Sequence, residues 1–154
     1  MGIEIERKFR VVGESWRGPS PSSSIRQGYI FITTEKIVRV RLADGSGSIC
    51  IKRRTDNRTR LEFEYPVPRE DAEEMLEKLC EGSLIEKKRY RRNVDGILWV
   101  IDEFRGANSG LVVAEVELQS KDQQVALPPW VGVEVTDDPR YLNSNLSRRP
   151  YSTW

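Results

Sequence analysis

Apolar and polar side chains alternate with a period of two along most of the chain, and turn-forming residues interrupt the alternation at short intervals. This pattern is typical of half-buried strands, because successive side chains of a strand point to opposite faces. Turn sequences such as Asp44-Gly45-Ser46-Gly47 and Asp95-Gly96 join consecutive runs closely enough to make an antiparallel sheet. The predicted strands are residues 3–12, 25–33, 36–43, 47–54, 59–67, 84–92, 97–104, 110–119 and 131–135.

One segment breaks the alternation, because its apolar residues fall at helical spacing. Pro68 precedes it and Gly82 follows it, which fits the rules for helix start and stop. The apolar stripe, which should pack on the outside of the sheet, consists of Ala72, Met75, Leu76, Leu79 and Cys80. A second, shorter helix is predicted over residues 139–146, with Thr136 or Asp137 as its N-cap.

The length of the chain sets the number of domains. A chain of 154 residues can bury one sizeable core but not two, so we expect residues 1–154 to form a single domain. Eight or so strands could form a sandwich or a barrel, and periodicity alone does not decide between them. The 25 basic residues nearly cancel the 24 acidic ones, so the net charge of +1 predicts no partner.

The chain contains no histidine, although 32% of its residues are charged. This excludes imidazole-based catalytic triads and histidine-ligated zinc sites. Chemistry must therefore rely on carboxylates, lysine, arginine, tyrosine, cysteine or a metal bound through oxygen. Carboxylate ligands select hard divalent ions such as Mg²⁺ or Mn²⁺.

The chain is expected to be a soluble, cytoplasmic protein with reduced thiols. The N-terminal sequence MGIEIERKF is charged from the start and has no apolar signal segment, and no later stretch is long enough to span a bilayer. Cys50 lies in an apolar strand-like run and Cys80 on the predicted helix, which favours free thiols over a disulfide.

Charged residues recur at a spacing of two, which projects both side chains of a pair to the same face of a strand. The sets are Glu4, Glu6 and Lys8; Arg39 and Arg41; Lys52 and Arg54; Glu62 and Glu64; Lys87 and Arg89; and Glu115 and Glu117, with Asp102 alone in an apolar run. A single such pair most simply marks a solvated strand face. The pairs as a group sort by sign, however, whereas an exposed face would more often mix signs to gain cross-strand pairing.

An enclosed barrel lumen explains this sorting. Carboxylates gathered in a confined space repel one another unless a cation sits between them, and clustered arginines need an anion for the same reason. A divalent cation among the glutamates and a polyphosphate along the basic strands would neutralise both halves. The charges therefore favour a barrel over a sandwich.

These residues resemble those of the CYTH proteins, also called triphosphate tunnel metalloenzymes. Glu4-x-Glu6-x-Lys8 is similar to the N-terminal ExExK motif that defines the family, and the resemblance continues in the family's order over nearly the whole chain. The further matching segments are residues 25–29, 38–41, 51–52, 62–64, 86–90, 102, 115–117, 135–141 and 143. The resemblance implies a mainly β fold, a single eight-stranded antiparallel β-barrel or tunnel with a few external helices and a C-terminal plug helix.

The resemblance also implies roles for the matching residues. The phosphates of a substrate would be held by Lys8, Arg39, Arg41, Lys52, Lys87 and Arg89. A divalent metal would be held chiefly by Glu4, Glu6, Glu115 and Glu117, with Glu62, Glu64 and Asp102 binding a second metal or positioning water.

Tyr29 and Lys8 are the catalytic candidates, because in several relatives a tyrosine at the position of Tyr29 is proposed as a proton acceptor, paired with a lysine. Such a tyrosine needs its pKa lowered, which neighbouring cations could do. Tyr29 could equally be an aromatic lining residue. Odd- and even-spaced residues of a strand point to opposite faces, which we call strand parity. Arg26 lies three residues before Tyr29 and so has the opposite strand parity, and it is expected outside the site, in a structural ion pair. Arg54 lies nearer a strand end and is expected to be exposed to solvent.

Three functions remain open from the sequence. The leading one is a metal-dependent triphosphatase that acts on inorganic tripolyphosphate or a related small triphosphate such as ATP or thiamine triphosphate. An adenylate cyclase of the class IV type would use the same scaffold. The third is a non-catalytic barrel that binds polyphosphate or RNA, against which the Glu-x-Glu pairs argue, because they repel a backbone anion. Nucleic acid and membrane partners are not expected, and both a monomer and a homodimer are compatible with the sequence.

Overall fold

The structure is a computed structural model that describes residues 2–154. Nine strands account for most of it, and their bounds agree closely with the alternation of the sequence. They are β1 (Gly2–Val11), β2 (Ser23–Ile32), β3 (Lys36–Ala43), β4 (Ser46–Arg54), β5 (Thr59–Val67), β6 (Glu81–Val94), β7 (Ile97–Phe104), β8 (Val112–Glu117) and β9 (Val131–Glu134).

Eight of the strands form a closed antiparallel barrel in the ring order β1-β5-β4-β3-β2-β6-β7-β8. The ring closes because β1 pairs with β8 on one side and with β5 on the other, from Gly2 opposite Glu62 to Ile5 opposite Thr59. The short β9 lies outside the ring and pairs with the C-terminal part of β1. The predicted eight-stranded barrel is therefore confirmed.

Tight hairpins set the antiparallel register of neighbouring strands. Asp44 and Gly45 join β3 to β4, and Asp95 and Gly96 join β6 to β7, all with positive φ angles between 49° and 84°. Asx-Gly pairs adopt this backbone readily, and its twist matches that of the flanking strands. Both turns lie where the sequence predicts them.

Helix α1 (Arg69–Lys78) covers part of the outer face of the barrel. Its Ala72 and Leu76 are buried against Val40 and Leu42 of β3, as the apolar stripe predicts. The helix ends earlier than that stripe suggests, and the last predicted helical leucine, Leu79, is 53% exposed.

The C-terminal segment forms a 3₁₀ turn (Pro139–Tyr141) followed by helix α2 (Asn143–Arg148). The predicted N-cap at Thr136 or Asp137 is wrong. Because the 3₁₀ turn begins at Pro139, the capping position is Asp138, whose carboxylate accepts a hydrogen bond from the Arg140 N–H at 3.0 Å. No helix within residues 2–154 is both long and apolar enough to cross a membrane.

The apolar side chains pack mainly on the outside of the barrel and at one end of it. Outside, Trp16 and Trp130 from the loops cover a cluster built on the outward faces of β1, β7 and β8. At the end near α2, Leu146 packs in a second cluster with Ile85 and Phe104. This packing leaves the middle of the barrel to polar side chains. Cys50 and Cys80 are both free thiols, as predicted.

Candidate active site

A cavity of about 450 Å³ runs inside the barrel and is lined almost entirely by charged and polar side chains. The lining comes from β1 to β6, from β8 and from the segment that contains α2. It includes twelve residues that the strand parity predicts, namely Glu4, Glu6, Lys8, Tyr29, Arg39, Arg41, Lys52, Glu62, Glu64, Lys87, Arg89 and Glu115. Groups of opposite sign therefore converge in one enclosed channel.

The two remaining predicted residues, Asp102 and Glu117, lie next to the channel. Glu117 lines a smaller recess at one mouth, together with Glu4, Glu62 and Glu64. Asp102 is 1% exposed and lies beneath the channel wall, where Lys87 and Arg89 cover it.

Acidic side chains gather where β8, β1 and β5 meet, and we call Glu4, Glu6, Glu62, Glu115 and Glu117 the acidic half of the channel. Glu6 lies directly opposite Glu117 across the β1–β8 pair, and Glu115 lies opposite Lys8. Partial burial and the charges of Glu4, Glu62 and Glu6 raise the pKa of Glu117. Like charges thus repel one another at this mouth of the channel.

Three cations partly neutralise the acidic half. Lys52 Nζ bridges Glu4, at 2.8 Å, and Glu62, at 3.1 Å. Lys8 Nζ lies 3.2 Å from a carboxylate oxygen of Glu115. Burial alone would raise the pKa of Glu115, but Lys8 and other nearby cations lower it to about 2.

The third cation, Arg60, was missed by the sequence analysis. Its guanidinium pairs with Glu6 and lines the channel. The signal was present, because Arg60 shares the strand parity of Glu62 and Glu64. Arg60 stands two residues before Glu62, as Lys8 stands two residues after Glu6, so the same spacing rule places it in the channel.

The basic half of the channel consists of Arg39, Arg41, Lys87 and Arg89, and Asp102 fixes two of these side chains. Arg89 donates from Nε and Nη2 to the two carboxylate oxygens of Asp102, both at 2.8 Å. Lys87 Nζ donates to the same carboxylate at 2.7 Å and to Asn143 Oδ1 at 2.9 Å. Since both oxygens of Asp102 are engaged, it is placed to orient cations.

Burial has opposite effects on the two partners of this pair. It lowers the pKa of Lys87 to about 7, with Arg89 and Arg41 adding to the lowering and Asp102 opposing it. For Asp102, burial acts to raise the pKa, but Lys87 and Arg89 hold it far below its usual range. Lys87 and Arg89 supply the charges that hold the pKa of Asp102 down, and Lys87 Nζ lies 2.7 Å from that carboxylate.

Arg39 and Arg41 are only partly compensated by anions, because Arg39 Nη2 has one carboxylate contact, with Glu64 Oε1 at 3.4 Å. Arg41 donates from Nε to Gln27 Oε1 at 2.9 Å, and it forms no ion pair within residues 2–154. Its burial, followed by the charges of Arg39 and Arg89, lowers the pKa of Arg41 to about 10. The Arg39 Nε is buried and has no hydrogen-bond partner in the described chain. An anion in the channel would satisfy both residues.

Tyr29 lies at the wall of the basic half, where burial and nearby cations act on its pKa in opposite directions. Burial raises the pKa of the phenol, and the opposing charges of Arg39 and Arg41 are too weak to reverse this. The neighbouring cations therefore do not produce the lowered pKa that a proton-accepting tyrosine needs. Gln27 Nε2 donates to the Tyr29 hydroxyl at 3.2 Å, so the phenol is also fixed in place.

Two other arginines test the use of strand parity. Arg26 is exposed and outside the channel, as expected, but it forms no ion pair within residues 2–154. Arg54 lines the channel, so its predicted exposure to solvent is wrong. The physical reason is the register. Arg54 ends β4 but lies opposite Arg60 of β5, which lies opposite Glu4 of β1, and all three side chains line the channel.

The acidic half fits a hard divalent cation. It offers only carboxylate oxygens from Glu4, Glu6, Glu115 and Glu117, which is the donor set that Mg²⁺ and Mn²⁺ prefer. Within residues 2–154, the one place where three possible ligand atoms lie within 4.8 Å of one another is formed by Cys50, Glu62 and Glu64, and it borders the same mouth.

Comparisons with known proteins agree with the geometry. Residues 2–151 match the CYTH domain. An inorganic triphosphatase of Acetivibrio thermocellus is 46% identical over 154 residues, which is 100% of this chain and 99% of that protein. One of Nitrosomonas europaea is 36% identical over 147 residues, 94% of this chain and 96% of that protein. The crystal structure of the inorganic triphosphatase NE1496 superposes with a TM-score of 0.70 at 34% identity, covering 96% of this chain and 95% of that one.

Proposed function

The chain belongs to the CYTH domain family, and from that membership and the chemistry of its channel we propose that it hydrolyses inorganic triphosphate with a divalent metal. The observation that carries the proposal is that the acidic half and the basic half lie in one channel, each with an excess of one sign of charge. The basic half has more cations than Asp102 and Glu64 can balance, and the acidic half carries the carboxylates that a hard cation needs. A metal-bound triphosphate supplies both missing charges.

The basic half binds the phosphates. Arg39 and Arg41 present guanidinium groups that can donate paired hydrogen bonds to phosphate oxygens. Lys8, Lys52 and Lys87 add point charges at the boundary with the acidic half. Asp102 holds Lys87 and Arg89 in fixed positions, so these cations need little reorganisation when charge develops on the phosphoryl oxygens.

Glu4, Glu6, Glu115 and Glu117 would hold the metal, with Glu62 and Glu64 available to a second ion or to a water molecule. When bound, such an ion neutralises phosphate charge and lowers the pKa of attacking water. The ion is proposed to be Mg²⁺ or Mn²⁺, because every donor in this set is a carboxylate oxygen.

The remaining steps belong to the protein's own side chains. The arginines and lysines of the basic half stabilise charge on the transferred phosphoryl group and on the leaving phosphate. The barrel wall keeps bulk water away, which strengthens these interactions. Because its pKa is raised, Tyr29 holds its proton, and we assign it to donate a hydrogen bond to a substrate oxygen.

Product analysis tests the proposal. Tripolyphosphate, ATP and thiamine triphosphate would each be incubated with Mg²⁺, with Mn²⁺ and with EDTA. We expect orthophosphate from tripolyphosphate in the presence of metal and none in EDTA. Pyrophosphate and cyclic AMP from ATP would instead show a cyclase. Metal-independent binding without turnover would show a polyphosphate-binding barrel.

A pair of variants separates the channel from the general charge of the protein. Arg41→Gln removes a guanidinium from the basic half, and we expect kcat/KM to fall by about 100-fold or more. Arg26→Gln removes the same charge from the outer face of the neighbouring strand β2 and should leave kcat/KM unchanged. Equal loss in the two variants would rule out phosphate binding in the channel.

A further inference from the structure

Arg60 projects from β5 into the acidic half at the seam that closes the barrel. It lies opposite Glu4 of β1 on one side and opposite Arg54 of β4 on the other. The side chain of Arg60 is 12% exposed and that of its ion-pair partner Glu6 is 13% exposed. A guanidinium is thus held among carboxylates, in a place largely withdrawn from water.

The surroundings of this guanidinium are those of the proposed metal site. Burial acts to lower the pKa of Arg60, and the charges of Glu6, Glu4 and Glu115 outweigh it and raise the pKa. These three glutamates are also three of the four residues proposed to hold the metal. Arginine keeps its charge at any pH at which a protein works, so it cannot vacate the site by losing a proton.

Arg60 differs from the other two cations of the acidic half in its position. Lys52 and Lys8 lie at the boundary with the basic half and are assigned to the phosphates. Arg60 is enclosed by carboxylates and by the β1–β5 seam, where the Glu6 N–H also donates to the Arg58 carbonyl at 3.1 Å. From this position its charge acts on the carboxylates of the acidic half.

We propose that Arg60 is a tethered counter-ion, which neutralises the acidic half in the metal-free protein and leaves Glu6 when a divalent metal binds. Two cations cannot share the same carboxylate oxygens at full strength, so the guanidinium and the metal compete. Arg60 is therefore a positioning residue that lowers metal affinity and stabilises the metal-free barrel. This inference rests on the proposed metal site.

The test measures Mn²⁺ binding in the absence of triphosphate, by electron paramagnetic resonance of the free ion. Arg60→Gln should bind Mn²⁺ about tenfold more tightly than the wild type. A change of this size is typical when two groups that bind the same protein affect each other's affinity. Arg60→Lys keeps the charge and should stay within about threefold of the wild type. Arg53→Gln, a charge loss on the outer face of β4, should not change the dissociation constant.

A thermal melt of the same proteins supplies a second readout. Arg60→Gln should melt below the wild type in EDTA, and Mn²⁺ should restore it, because the metal takes over the role of the counter-ion. Unchanged or weaker Mn²⁺ binding by Arg60→Gln would overturn the proposal, as would a variant that stays unfolded even with Mn²⁺. Loss of the proposed function would show separately, as absence of phosphate release from the wild type.

Discussion

A single carboxylate, Asp102, determines how the basic half of the channel is arranged. It is 1% exposed, and it accepts hydrogen bonds from Lys87 and Arg89 on β6. Without its negative charge, the two cations would face each other and Arg41 in a buried space. The loss of one partner from a buried ion pair is costly, because the other charge stays behind without compensation.

We expect Asp102→Asn to lower the free energy of unfolding at pH 7 by about 3 kcal/mol and to reduce triphosphatase activity. The pKa of Asp102 is far below its usual range in the folded protein. The contribution of the Asp102 charge to the free energy of unfolding is therefore fully present above about pH 4, the pKa of this carboxyl in the unfolded chain. It is lost as the pH falls toward the lower pKa that Asp102 has in the folded protein. The gap between variant and wild type should narrow below about pH 4.

Urea unfolding at pH 7, 5, 4 and 3 would measure this gap, with Asp122→Asn in an exposed loop as the control for a change of one charge. If the free energies of unfolding of Asp102→Asn and the wild type differ as much at pH 3 as at pH 7, Asp102 stabilises the protein through packing and hydrogen bonds and not through its charge.

Glu117 shows the opposite behaviour, because its charge is opposed by its neighbours. Glu4, Glu62 and Glu6 help to raise its pKa, and it has no ion pair within residues 2–154. We expect Glu117→Gln to leave the melting temperature in EDTA unchanged or higher. Metal-dependent phosphate release should fall by about 100-fold or more, because losing a residue that holds the metal should cost at least as much as losing an outer partner of a metal ligand. Glu86→Gln, on the outer face of β6, is the matched control and should retain wild-type activity.

At the residue scale, strand parity predicted well which side chains line the channel. It predicted poorly the burial and the pKa of single residues. Arg39 and Arg41 are inside because every second residue of a strand shares a face, which the sequence records directly. Arg54 was misplaced because its surroundings depend on Arg60 and on the pairing of Arg60 with Glu4, which joins segments more than fifty residues apart. The raised pKa of Tyr29 likewise depends on a burial that no local pattern reveals.

At the scale of elements, the attachment of helix α2 depends on one glycine. Gly82 of β6 has a φ of +69°, and a Cβ atom added there would lie 2.7 Å from the carbonyl oxygen of Ser147 in α2. The helix also carries the Asn143 side chain, which contacts Lys87 and Gln27. A substitution at Gly82 should therefore disturb both packing and the basic half.

We expect Gly82→Ala to cost about 1–3 kcal/mol of stability from backbone strain alone, and more from the contact with Ser147. Gly96 separates the two effects, because its φ is +79° and an added Cβ would meet no atom within 4 Å. Gly96→Ala should therefore show the strain without a change in kcat/KM, whereas Gly82→Ala should show a lower kcat/KM as well. Denaturant unfolding and steady-state kinetics would measure both. Indistinguishable variants would mean that the docking of α2 does not influence the channel.

The elements themselves were predicted closely where the signal is local. All nine strands follow from alternation and turns, because both depend on neighbouring residues. The C-terminal end of α1 and the N-cap before the C-terminal helical segment were misplaced by a few residues. Leu79 and Cys80 continue the apolar periodicity of α1 past its last turn, and the 3₁₀ turn at Pro139 shifts the cap to Asp138. Periodicity records which residues are apolar but not where helical hydrogen bonds end.

The whole molecule places charge where most small barrels place apolar side chains, and this explains what the sequence could decide about its architecture. The strands alone were compatible with a sandwich or a barrel. The sorting of charges by sign favoured a lumen, and the β1–β5 pairing that closes it joins segments more than fifty residues apart. The resulting barrel is stabilised from outside by the apolar clusters, while its interior retains unbalanced charge.

This imbalance predicts that metal and triphosphate stabilise the molecule cooperatively. Each ligand alone relieves repulsion in one half, and both together also attract each other across the channel, a coupling that must be reciprocal. We expect Mn²⁺ with a non-hydrolysable imido analogue of triphosphate to raise the melting temperature by at least about 2–4 °C more than the sum of the separate shifts. Arg41→Gln should retain the shift due to Mn²⁺ and lose most of the excess, because it weakens the phosphate site while leaving the carboxylates intact. Additive shifts in the wild-type protein would mean that the two halves of the channel bind their ligands independently, and the charge imbalance would then have no part in joining them.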